Sequence, residues 1–230
     1  DGGDFIHESV QNIKLGEQEN ITLKLENREI QSERVLVDAG AWSHQLASQL
    51  EVKIPLETER GYHVTLNSKE GGPQNIVMEA AHKFMATPME MGVRFAGTAE
   101  FAGLKTPANQ TRAEILLKLG KKMYPQLEDG ETSDWMGHRP SIPDSRPVID
   151  FCPNNKKIIF AFGHGHRGLI GAPMPSQGPV SRTMPSSPSS TFVVTPTWPL
   201  SSMDDSASPS ITHISWSPMP QPTDSSRGLR

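Results

Sequence analysis

The sequence predicts an α+β fold: an antiparallel sheet with one long helix, joined to part of a strand–turn–helix layer and followed by a disordered tail. Three observations predict it. Two apolar strands, Arg34-Val-Leu-Val-Asp-Ala-Gly40 and Ile158 to Phe162, each run into a turn of small residues, the pattern of buried strands in an α/β layer. Between them lie four shorter strand patterns separated by turn signals at Asn67–Pro73 and Pro88–Gly92, which read as antiparallel pairs. After Pro173 the composition changes: half of the 20 prolines fall there, among dense serine and threonine. Such a segment buries too little apolar surface to offset its ordering entropy.

The elements follow in chain order. Val10 to Leu15 and Ile21 to Leu25 form a hairpin around the polar stretch 16–20, and Ile21, Leu23 and Leu25 share one face. After the strand from Arg34, the stretch Ala41 to Leu50 carries Trp42, Leu46, Ala47 and Leu50 at helical spacing, with Ser43 as its N-cap. Strands are expected over 59–66, 75–80, 83–87 and 91–97. Thr106-Pro107 offers a cap and a first-turn proline for a helix running to Met123, with Ile115, Leu116, Leu119 and Met123 on its apolar face. Trp135 to Ile149 is tight and proline-rich, with Arg139 at its centre.

Totals restrict the function classes. With 22 basic and 26 acidic residues the net charge is −4, so no basic surplus points to nucleic acid. One cysteine, Cys152, precludes an internal disulfide and suits a reducing, cytoplasmic compartment. No apolar run is long enough to span a bilayer, and the first residues carry no basic-then-apolar leader. His164 and His166 stand two apart without acidic or cysteine companions beside them, Asp144 and Asp150 being nearest, so no metal is expected. No G-x-S-x-G is present, and Cys152, followed by Pro153 and two asparagines, has no assigned base.

Three features remain as candidate chemistry. Gly163-His-Gly-His-Arg-Gly168 matches G-x-G-x-x-G literally, but Pro173, Pro175 and Pro179 stop a long helix and no acid stands about twenty residues on. It reads as a pyrophosphate turn, a structural turn, or a cofactor-facing loop of another kind. Arg139 has the forked geometry that grips a carboxylate, or it is a surface arginine or pairs structurally with Asp144. Tyr62 and His63 lie on an alternating strand, so only one of them shares a face with Arg139.

Taken together, VLVDAGAWSHQLASQL, PLETERGYHVTL, WMGHRPSIPDSRPVI and FAFGHGHRGLIGAP resemble, in order and spacing over about residues 1–174, the C-terminal part of the FAD-dependent D-amino acid oxidase superfamily. The similarity is greatest to bacterial D-amino acid dehydrogenases and glycine oxidase-like enzymes. The resemblance implies FAD as cofactor and a small amino acid as substrate, oxidised by hydride transfer to the flavin. It implies that Ala39, Gly40, Ala41 and Trp42 lie beside FAD, and that Gly163, His164, Gly165, Gly168 and Leu169 wrap its flavin end. Arg139 would hold the substrate carboxylate, with Tyr62 and His166 facing the substrate. The domains implied are a partial FAD-binding domain over 1–54, a substrate-binding sheet with one helix over 55–134, a return to the FAD-binding domain over 135–174, and the tail over 175–230.

Two departures from the family pattern shape the expectation. The family's own N-terminal G-x-G-x-x-G has no counterpart here, and after Met174 the expected small-residue helix is replaced by PSQGPVSRTMPSSPSS. The chain is therefore read as a fragment whose tail is either shifted in frame or a true extension. A non-catalytic remnant or binding module is the alternative. The electron acceptor, and with it any peripheral membrane partner, is left open.

Overall fold

In the computed structural model, which describes residues 5–16, 20–171, 191–194 and 210–212, alternation of apolar residues sorts the chain into two sheets. The hairpin forms as expected: β1 (Phe5–Leu15) pairs antiparallel with β2 (Ile21–Leu25), Leu15 opposite Ile21, and β2 continues to β3 (Glu29–Ser32). Ile21, Leu23 and Leu25 are all buried. The strand after them, β4 (Arg34–Val37), ends in the turn Ala39–Trp42, a single 3₁₀ turn over Gly40–Trp42 leading into α1 (Ser43–Gln49). Ser43 does not cap α1. It lies within the first turn, fully buried, and the preceding Trp42 takes the cap position without a side-chain bond.

The second sheet contains β5 (Glu57–Leu66), β6 (Val77–Glu79), β7 (Phe84–Met89), β8 (Gly92–Phe101) and β9 (Thr132–Ser141), in the order β6-β7-β8-β5-β9 and all antiparallel. One face is covered by α2 (Gln110–Met123). Tyr62, Val64, Leu66, Phe84, Phe95, Leu116 and Leu127 form the core between them.

The helix starts later than Thr106-Pro107 suggests, and the cause is Arg60. Its side chain is completely buried, and it donates to the carbonyls of Gly103 (2.6 Å from Nη2), Thr106 (2.5 Å) and Pro107 (3.1 Å). Its guanidinium also lies 3.7 Å from Glu100. A buried cation requires such a full set of acceptors, and backbone bent around it cannot be helical. The apolar face of α2 matches expectation in part: Leu116 is buried and Leu119 and Met123 pack against the core, whereas Ile115 is 48% exposed and Ala113 and Gly120 are buried instead.

From β9 the chain returns to the first sheet through β10 (Val148–Cys152) and β11 (Asn155–Phe162). β11 lies parallel to β4, with Phe160 level with Val37. Both strands therefore run toward the same sheet edge, where the Ala39–Trp42 turn and the glycine loop emerge side by side. Cys152 is fully buried in this core. The glycine loop passes through a second 3₁₀ turn (Gly165–Arg167) into α3 (Gly168–Gly171).

Most of the tail, including the segment after Met174 and its expected disorder, lies outside the described residues. Two short pieces differ from that expectation. β12 (Thr191–Val194) pairs parallel with β4, and β13 (Ser210–Thr212) bridges it to β1. The β-branched and aromatic run Thr191-Phe-Val-Val194 is suited to a strand.

The close approach of α2 to its sheet yields a test. A Cβ at Gly120 would come within 2.5 Å of the Phe95 ring. Glycine-to-alanine changes inside helices ordinarily stabilise by about 0.5–1 kcal/mol. Here overpacking reverses the sign: Gly120→Ala is expected to destabilise by about 1–3 kcal/mol, read as a lower urea midpoint at unchanged slope.

Candidate active site

The pairing of β5 with β9 builds the site. Glu59 stands directly opposite Arg139, Gly61 opposite Gly137 and His63 opposite Trp135, so alternation puts these six residues on the sheet face away from α2. Both glycines make room for a neighbour. A Cβ at Gly61 would sit 2.0 Å from Nη2 of Arg139, and one at Gly137 2.0 Å from the benzo ring of Trp135. The guanidinium and the indole therefore lie down over adjacent gaps in the sheet.

Glu59 ties this surface to the glycine loop. Its Oε1 lies 3.3 Å from Nη1 of Arg139 and 3.1 Å from Nε2 of His166, while its Oε2 accepts a hydrogen bond from Ser141 Oγ at 3.2 Å. Arg139 thus pairs with Glu59 and not with Asp144, whose carboxylate instead accepts from the backbone of Arg146. A cleft of about 490 Å³ opens beside this carboxylate, lined by Glu57, Glu59, Phe101, Ser141, Ile142 and the loop from Gly163 to Arg167.

The loop owes its path to two glycines in the left-handed region, Gly163 (φ +82°) and Gly165 (φ +53°), where other residues are strained. At Gly163 an added Cβ would also press on Ile142 at 2.9 Å. At Gly165 it would meet nothing nearer than 3.8 Å, so bare backbone faces open space. Two polar atoms here are buried without a partner among the described residues: Nε2 of His164 and Oγ of Ser43. Burial also holds the His164 imidazole below its usual pKa. Asp38, just before the Ala39–Trp42 turn, donates its backbone N–H to Val194 O at 2.8 Å, and burial pushes its carboxyl up to about 7.

The site residues expected from the sequence divide accordingly. Arg139 and His166 come together on Glu59. Gly163, His164, Gly165 and His166 line the cleft. Ala39 and Ala41 are buried, and Gly40 takes a positive φ of 52° beside them. Trp42 packs edge-on against His138, 5.4 Å between ring centres. Gly168 opens α3, and Leu169 beside it is 92% exposed. Tyr62 does not join the site. Its ring is buried under α2, its hydroxyl donates to Glu100 Oε2 at 2.5 Å, and it accepts from the Asn109 N–H at 3.1 Å. His63, pointing the other way, shares the face of Arg139. Sequence reasoning missed Glu59. Its sequence signal was its place two residues before Gly61 on the alternating strand, but its partner lies 80 residues away. Among the described residues, no three His, Cys, Asp or Glu side chains gather as a metal site, and no helix is long and apolar enough to cross a membrane.

Comparison with known proteins agrees with this layout. Residues 1–175 match the family model described as DAO, FAD dependent oxidoreductase. A D-amino-acid oxidase of Bradyrhizobium diazoefficiens is 38% identical over 175 residues, covering 74% of this chain and 42% of the relative. A D-amino acid dehydrogenase of Vibrio atlanticus is 30% identical over 150 residues, covering 64% and 36%. The chain thus spans less than half the length of these relatives. Among solved structures, the glycine oxidase of Geobacillus kaustophilus superposes with a TM-score of 0.66 at 19% identity, over 78% of this chain and 49% of that one. An L-α-glycerophosphate oxidase of Mycoplasma pneumoniae with FAD bound superposes with a TM-score of 0.61 at 21% identity, over 76% and 49%. At these identities the two structures establish the fold. The family match over residues 1–175, together with the sheet pairing and glycine loop described above, makes the chain a member of the FAD-dependent oxidoreductase family DAO.

Proposed function

We propose that this chain forms the substrate-facing side of a FAD-dependent oxidoreductase that converts a D-amino acid, or a similar small amino acid, to its imino acid. The observation that carries the reading is the meeting of Arg139 and His166 at one oxygen of Glu59. It joins a carboxylate-binding fork to the glycine loop across a cleft.

The residues fit FAD on three counts. Gly165 offers open backbone, the unpartnered atoms of His164 and Ser43 need polar partners, and the two loops leave neighbouring parallel strands at their carboxyl ends, where such folds bind ligands. In this reading the glycine loop and the Ala39–Trp42 turn hold the flavin end. Bound there, FAD would supply the two-electron oxidising power for converting the amino acid to its imino acid.

The chain's own residues orient the substrate. Arg139 keeps donors beyond the one directed at Glu59, and these pair with the substrate carboxylate. Glu59 fixes the guanidinium against the sheet, which limits the entropy lost when the acid binds. The apolar side of Ile142 and Phe101 in the cleft wall limits water around the reacting carbon. No acid–base dyad is required of the protein, because the cofactor performs the chemistry and the site supplies position.

Two outcomes are expected. In calorimetric titrations with D-alanine, Arg139→Ala weakens binding by about 1.5–3 kcal/mol and Arg139→Lys restores part of it; unchanged affinity would return Arg139 to a structural role. The chain's single G-x-G-x-x-G at Gly163 is followed by Pro173, Pro175 and Pro179, unlike a dinucleotide fingerprint, so the 230-residue chain by itself is expected to quench FAD fluorescence only weakly. Sub-micromolar FAD affinity would contradict that.

A further inference from the structure

We infer that Trp135 is the wall against which the substrate's side chain rests, and that the site selects amino acids with aromatic or large apolar side chains over glycine and alanine. The inference rests on the reading of Arg139 as the grip for the substrate carboxylate.

The argument begins with the glycine pair. Gly61 and Gly137 face each other across β5 and β9, and directly opposed residues have side-chain positions about 4.5–5.5 Å apart. The place a Cβ would take at Gly61 is filled by the Arg139 guanidinium, its Cζ 2.3 Å from that point. The place at Gly137 is filled by the Trp135 ring, with three ring carbons within 2.8 Å. Fork and ring are therefore neighbours on one surface. An α-amino acid whose carboxylate lies on the fork carries its Cβ within a few ångströms of its carboxyl carbon, so its side chain reaches the indole.

The ring is built to receive such a group. Trp135 is 41% exposed, unlike a core tryptophan. Behind it, His63 stacks at 5.0 Å between ring centres and 24° between planes, which holds the indole in one orientation. Burial, and then the charge of Arg94, push the His63 imidazole down to about 4 against the opposing pull of Asp134, so the backing ring is uncharged near neutral pH. The register places Trp135, His63, Ala96, Met85 and Met78 in one row across all five strands, and Met85 and Met78 are 40% and 65% exposed. The row itself carries no charge at neutral pH, while Arg94 stands next to it on the same face, opposite Thr65, so the row favours an apolar side chain lying along it. An aromatic one gains offset stacking beyond its buried area.

The test compares D-phenylalanine, D-alanine and glycine as ligands of the 230-residue chain by calorimetry, with the Trp135 indole N–H followed by NMR and assigned by its loss in Trp135→Phe. D-phenylalanine is expected to bind about tenfold more tightly than D-alanine, to shift the Trp135 signal, and to outcompete glycine by at least as much. Trp135→Ala erases the preference and leaves D-alanine within about twofold of its original affinity, whereas Trp135→Phe keeps most of it. Arg139→Ala weakens all three ligands. Equal binding of D-phenylalanine and D-alanine by the unaltered chain, or an unmoved Trp135 signal on D-phenylalanine saturation, overturns the inference while leaving the role of Arg139 intact. Should Trp135→Ala not fold, the Trp135 signal and the ligand ranking of the unaltered chain decide. Failure of all three acids to bind overturns the carboxylate grip, and this inference with it.

Discussion

The site depends on the unbroken antiparallel register between β5 and β9, from Glu57 opposite Ser141 to Leu66 opposite Thr132. No bulge interrupts it, so the faces never exchange along ten residue pairs. This constraint brings Glu59 to Arg139 although 80 residues separate them in the chain. The same constraint pairs two glycines where two large side chains must lie flat. A slip of β9 by one residue would send Arg139 into the core beneath α2 and take it away from Glu59.

A second constraint meets the first at Glu59. The glycine loop belongs to the first sheet, because it follows β11, and β11 is fixed beside β4 by parallel pairing. The contact of His166 with Glu59 is therefore a contact between sheets. Arg60, next to Glu59 but facing the opposite way, holds the chain between β8 and α2 through the carbonyls of Gly103, Thr106 and Pro107. Adjacent residues of one strand thus serve two ends: Arg60 immobilises the far side of the sheet while Glu59 joins its near side to the loop.

Much of this was legible in the sequence, and the limits are physical. Strands and hairpins could be read because β-branched alternation is local. The alternation also separated Tyr62 from His63, but deciding which of them faces Arg139 needed the partner strand, and pairing between distant strands leaves no local mark. Thr106-Pro107 does not start α2, since a sound capping signal is overridden by the buried guanidinium of Arg60, 46 residues before Thr106, which claims the same carbonyls. Ser43 looked like a cap because its residue type favours that role, yet the preceding 3₁₀ turn had already begun the helix. Arg139 stood out by residue type and its proline neighbour. Glu59 did not, because a carboxylate on an alternating strand is ordinary until its three partners are known.

The lone sulfur at Cys152 has a practical consequence. It is sealed at the end of β10, and no other thiol exists in the chain to confuse it. Alkylating reagents can reach it only when the outer strand of the larger sheet peels away, so its labelling rate at rising reagent concentration counts those openings directly. The protein carries its own clock for the breathing of the sheet that supports the glycine loop, with no engineered reporter needed.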